Sequence, residues 1–80
     1  MDTISAVKNR ILQLCGERNI SVNRLASISA LPPSSVKNIL YGKSQNPNLL
    51  TIKMLCDGLG ITLGEFFSTP EFDALEQEIR

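Results

Sequence analysis

The sequence predicts a compact all-α domain of five helices with an additional short helix at the C-terminal end. Three observations carry that expectation. Apolar residues recur at helical spacing along the whole chain, and no alternating run is long enough for a strand. Two short helical patterns meet across a very short break between Ile28 and Pro33, and the second ends on Gly42. The 80 residues, 42% of them apolar, supply one modest core and no more.

The first helix is expected from about Thr3 to Arg18, where Ile4, Val7, Ile11, Leu14 and Cys15 form one apolar face and Asn19 is a stop. Ser21 is a good N-cap for a second helix running to about Ile28. Its Leu25 and Ile28 face inward, and Ala26 is small enough for another helix to approach closely. Pro32 and Pro33 restart the chain, because proline loses nothing at a first helical position. The third helix runs from about Pro33 to Tyr41, anchored by Val36, Ile39 and Leu40, and Gly42 suits a left-handed C-terminal cap. After a polar loop holding Pro47, a fourth helix is expected from about Leu49 to Leu59, stopped by Gly60. Thr62 and Glu65 then have capping-box spacing and open a short fifth helix whose Leu63, Phe66 and Phe67 complete the core. Thr69 and Pro70 signal a last helix, with Glu71 and Asp73 suited to the positive end of its dipole. Residues 1–68 are thus expected to form the main domain and residues 69–80 a C-terminal helical element.

The zero net charge hides an asymmetry. Residues 1–53 hold seven basic against two acidic residues, a net +5, and residues 54–80 hold one basic against six acidic, a net −5. A basic first part favours phosphate, since affinity follows local charge. The same residues also fit ordinary solvated faces, and charge by itself leaves the two readings even. No apolar run of about 18 residues is present to span a membrane, and the N-terminus lacks a signal-peptide pattern, so a cytoplasmic location is expected. Cys15 and Cys56 read as buried thiols. The chain has no histidine, no convergent carboxylate pair and no phosphate-cradling glycine loop, so neither a metal site, a cofactor nor an enzyme is expected. Its length leaves no room for a second, ligand-sensing domain, so no small-molecule ligand is expected either.

The stretch from Asn23 to Asn46 carries the functional signal. The third helix sets Ser34, Ser35, Lys37, Asn38 and Tyr41 outward on a rigid apolar base. A short helix showing polar groups in that way suits the DNA major groove. In order and spacing, Leu25-Ala26, Leu31, Ser34-Ser35-Val36, Asn38-Ile39, Gly42-Lys43, Asn46-Pro47, Leu59-Gly60-Ile61-Thr62-Leu63 and Glu65-Phe66-Phe67 resemble the lambda-repressor-like, Cro/XRE-type helix-turn-helix family of phage and bacterial regulators. The resemblance covers about Ile4 to Phe67.

That resemblance implies double-stranded DNA as the partner, with the third helix reading the major groove. Carried over by position, Ser34 and Asn38 become the base-contact candidates, with Lys37 next. Asn38 suits bidentate pairing with adenine, and Lys37 suits guanine or a phosphate. Ser35, Tyr41, Lys43, Ser44 and Asn23, at the start of the second helix, become candidates for phosphate contact. The family binds two-fold operators as dimers, and Phe72, Leu75 and Ile79 share one face of the expected last helix as a candidate homodimer contact, with Leu50 a second. That stripe also fits packing back on its own domain. Two residues depart from the family pattern. Ala30 stands where relatives place glycine in the turn, and Pro33 stands where a base-contacting residue is common, though its ring suits a thymine methyl. The leading expectation is a sequence-specific transcriptional regulator. The alternative is a protein-interaction module, antitoxin- or adaptor-like, that kept the fold with weak or no DNA binding.

Overall fold

The structure is a computed structural model that describes residues 1–42 and 46–79. Among these residues every regular element is helical: α1 (Thr3–Arg18), α2 (Val22–Ile28), α3 (Pro33–Tyr41), α4 (Leu49–Leu59), α5 (Leu63–Phe67) and α6 (Pro70–Asp73).

The helices start and stop where local chemistry directs. Side chains of Asp2, Ser21, Asn48 and Thr62 each accept a backbone N–H in the first turn of the helix that follows. Thr62 and Glu65 close the expected capping box, with bonds of 3.0 and 3.1 Å. Asn19, Ala30 and Gly60 take left-handed backbone at the ends of α1, α2 and α4, with φ of 54°, 56° and 71°. Leu31, one residue past the turn residue Ala30, returns its N–H to the carbonyl of Ala26 at 2.9 Å. Gly42 departs from expectation. Its φ of −92° and ψ of −163° are extended, so it ends α3 without a left-handed cap.

One core joins the helices. Ile11, Leu25, Val36, Leu55, Cys56 and Phe66 are its most deeply buried side chains. α2 packs on both α3 and α4, and α5 packs on α4. Ala26 is fully buried in α2, as its size suggests. A second small residue, Gly58, lets α4 pass the end of α2: a Cβ there would lie 3.0 Å from the Ile28 carbonyl carbon and oxygen. Ser29 Oγ sits at the same contact, buried and without a hydrogen-bond partner among the described residues. Arg10 ties α1 to α5. Its Nε and Nη2 donate to the carbonyls of Phe66 and Glu65 at 2.7 and 2.8 Å, covering carbonyls that a helix end leaves open.

The C-terminal segment differs most from the expected helix. α6 ends at Asp73, and residues 75–79 are not helical. Phe72 turns into its own domain and stacks edge-on against Phe67, centroids 4.9 Å apart. Leu75 is half-buried and Ile79 is 81% exposed, so the three residues do not line one helical face. Electrostatics supplies a reason. A continued helix would hold Glu76 and Glu78 at its negative end, where the dipole disfavours them. Glu78 instead accepts the N–H of Thr3 at 3.0 Å, at the positive end of α1.

Candidate nucleic-acid interface

α2, residues 29–32 and α3 form a helix-turn-helix, and burial divides α3 by residue. Val36, Ile39 and Leu40 are buried in the core. Burying side chains of this kind contributes about 1.5–3 kcal/mol each, which holds the helix rigidly on its base. Pro33, Ser34, Lys37, Asn38 and Tyr41 are exposed, and Ser35 is half-buried. The start is set by proline. Pro32 holds extended backbone and Pro33 occupies the first helical position, with no side-chain cap.

The exposed polar side chains of α3 are uncommitted. Those of Ser34, Ser35, Lys37, Asn38 and Tyr41 make no hydrogen bond or ion pair to another described residue, and neither does the side chain of Asn23 at the start of α2. Asn23 is exposed, and the N-cap Ser21 beside it accepts the N–H of Arg24 at 3.0 Å. Some polar groups elsewhere are used internally, as the caps and Arg10 show. Donors and acceptors therefore stand ready on the outer side of α3, whose inner side is fixed by Val36, Ile39 and Leu40. Lys43 and Ser44, the other two sequence candidates, lie outside the described residues.

The cations of the basic first part are not all available to a ligand. Arg10 is engaged with α5 and with Gln13, and Lys53 pairs with Asp57 one turn along α4. Lys37 is exposed on α3 and Arg24 on α2. Burial pushes the thiols of Cys15 and Cys56 above the ordinary cysteine value, which keeps them neutral and unreactive. Two positions escaped the sequence reading. Gly58, at the crossing of α4 and α2, had no local signal, because a glycine within a helical pattern does not reveal what passes over it. Gly42 has a steric role at the end of α3 that its residue type, suggestive of a left-handed cap, does not reveal.

A family model for the Cro/C1-type helix-turn-helix (HTH) DNA-binding domain matches residues 10–71. The chain belongs to the Cro/C1-type helix-turn-helix DNA-binding family. A solved structure, the crystal structure of the prophage Lp1 protein 11, superposes with a TM-score of 0.80 at 30% identity, over 94% of this chain and 100% of that one. None of the curated proteins matches the chain. The match to the Cro/C1-type model spans the helix-turn-helix and the helices that support it, from within α1 to the start of α6. Among the described residues no helix is long and apolar enough to cross a membrane.

Proposed function

We propose that this Cro/C1-type chain is a sequence-specific transcriptional regulator that sets α3 in the major groove of double-stranded DNA. The observation that carries the reading is the uncommitted polar face of α3 on a buried apolar base. Ser34 and Asn38, four residues apart on one helix, read base edges, Asn38 as a bidentate partner of adenine. Lys37 reaches guanine or phosphate, and the ring of Pro33 packs on a thymine methyl. Ser35, Tyr41, Lys43, Ser44 and the start of α2 at Asn23 hold the backbone and fix register. Regulation follows from occlusion or recruitment at a promoter, and no chemistry is performed.

The binding unit in this reading is a homodimer on half-sites about one helical turn, roughly 34 Å, apart. Its contact uses the C-terminal segment through Leu75 and Ile79, with Phe72 bracing that segment from inside its own protomer. Exposed Leu50 offers a second contact. The acidic residues of the segment keep it away from DNA.

Selection from random duplex DNA, followed by anisotropy titration, tests the reading. The expected result is an enriched, palindromic motif whose affinity falls as salt rises. Binding indifferent to both sequence and salt would sink it. Joint replacement Lys37→Ala/Asn38→Ala is expected to abolish recognition of the selected motif while the fold persists.

A further inference from the structure

Glycine at position 42 is required for space and not for torsion. Its φ of −92° and ψ of −163° suit any residue. A Cβ built there would stand 2.7 Å from the Asn38 carbonyl oxygen and 3.0 Å from the Asn38 Cα, and it would collide with Asn38 Oδ1. The Asn38 carboxamide, together with the Asn38 main chain, therefore occupies the volume that a side chain at position 42 would fill. The Gly42 N–H donates to the Asn38 carbonyl at 3.1 Å and holds the two residues together. Position 42 is thus placed to crowd the Asn38 amide or to leave it room. The Asn38 side chain is exposed and makes no hydrogen bond within the described residues, so the room left at position 42 is the constraint that the structure shows on its pose.

We propose that Gly42 is a positioning residue for base recognition: its bare surface lets the Asn38 carboxamide rest against the end of α3 in the pose that meets a base edge. The proposal rests on the reading of Asn38 as a base contact and names what sets its geometry. A bidentate pair with adenine needs the amide oxygen and nitrogen presented together in one plane. A carboxamide pushed aside by a side chain at position 42 stays exposed but loses that alignment.

The test titrates the full chain against its selected duplex and every single-base-pair variant of it, at fixed salt. Asn38→Ala identifies the base pair whose discrimination depends on Asn38. Gly42→Ala is expected to lose discrimination at that same base pair, by roughly five- to 150-fold. The double variant is expected to lose no more there than Asn38→Ala alone. Asn38→Gln keeps the carboxamide but carries it one methylene beyond Gly42, and it is expected to lose the discrimination too. That variant leaves the chain path at Gly42 untouched, so it decides the matter if circular dichroism shows Gly42→Ala unfolded. Discrimination retained in Asn38→Gln, or in a folded Gly42→Ala, overturns the proposal and leaves the base contact standing. Discrimination unchanged at every position in Asn38→Ala overturns the base contact, and the proposal with it.

Discussion

Replacing Ala30 by glycine is expected to stabilise the domain, because the chain repeats one turn three times with three different residues. After α1, the N–H of Ile20 donates to Cys15 at 3.0 Å and that of Asn19 to Gly16 at 3.2 Å. After α2, Leu31 donates to Ala26 at 2.9 Å and Ala30 to Ser27 at 3.2 Å. After α4, Ile61 donates to Cys56 at 3.0 Å and Gly60 to Asp57 at 3.1 Å. Each pair of bonds is the Schellman motif, whose turn residue is left-handed. Glycine adopts that backbone freely and asparagine tolerates it, whereas alanine brings its Cβ against a carbonyl oxygen. The strain on Ala30 is about 1–2 kcal/mol. Glycine offsets part of that gain, about 0.4–1 kcal/mol, by enlarging the unfolded ensemble. Ala30 is exposed, so little packing is lost, and the net gain is about 0.5–1 kcal/mol. In a domain of this size that raises Tm by roughly 2–8 °C. The mirror change, Gly60→Ala, isolates the same strain, since nothing lies within 4 Å of a Cβ built there. It should lower stability by about 1 kcal/mol. Urea and thermal melts followed by circular dichroism measure both changes. An Ala30→Gly chain no more stable than the parent, beside a destabilised Gly60→Ala, would refute the claim that the second turn stores strain.

Arg10→Ala should cost about 1.5–3 kcal/mol, seen in urea melts, through loss of the bonds to Phe66 and Glu65. DNA affinity per folded molecule should be unchanged, because that guanidinium faces α5. Gly58→Ala should destabilise by about 1–3 kcal/mol despite alanine's better helix propensity, since its Cβ would press on the Ile28 carbonyl. Ser29→Ala, at the same crossing, should raise stability by about 1 kcal/mol by removing a buried hydroxyl that lacks a partner among the described residues. The N-cap Asp2 makes an acid-sensitive contribution. Its hydrogen bonds from Ser5 lower the folded pKa, so the stabilisation is full above the unfolded value of about 3.9 and is lost as pH falls through the folded one. Asp2→Asn should therefore differ from the parent in the slope of stability against pH below about 4, and match it in slope near neutrality.

Residues that act within a few positions of themselves were legible from the sequence. Ser21, Thr62, Glu65, Asn19 and Gly60 do what short-range capping chemistry requires, and α1 to α4 run between the residues that the apolar spacing indicates. The inward side of α3 was legible too, because Val36, Ile39 and Leu40 keep helical spacing within nine residues. What depends on a distant partner was not. The Gly58 crossing is set by Ile28 and Ser29, distant in sequence at the end of α2. The short α6 is set by the phenyl cluster that captures Phe72 and by the end of α1 that receives Glu78, and neither is visible in the periodicity of residues 70–79. The base contacts rest on position in the family and on the free face of α3, so the DNA measurements above decide them.

The distribution of charge bears on how such a domain would find its site. The first part of the chain has a net charge of +5, yet Arg10 is bound to carbonyls of α5 and Lys53 to Asp57. The described helix-turn-helix presents Arg24 and Lys37 as its cations, and the whole chain is neutral. Non-specific attraction grows with the number of phosphates neutralised, so the two cations of the described helix-turn-helix contribute only weak holding on arbitrary sequence. A short side chain such as Ser34 or Asn38 discriminates only when its helix is held in register, because a small shift breaks a bidentate pair but barely alters a point-charge contact. The buried row of Val36, Ile39 and Leu40 supplies that rigidity, and the backbone contacts proposed for α2 supply the register. In this reading a modest cationic surface shifts the burden of recognition from charge to geometry. The same logic gives a single bare glycine at the end of α3 a disproportionate effect on base choice.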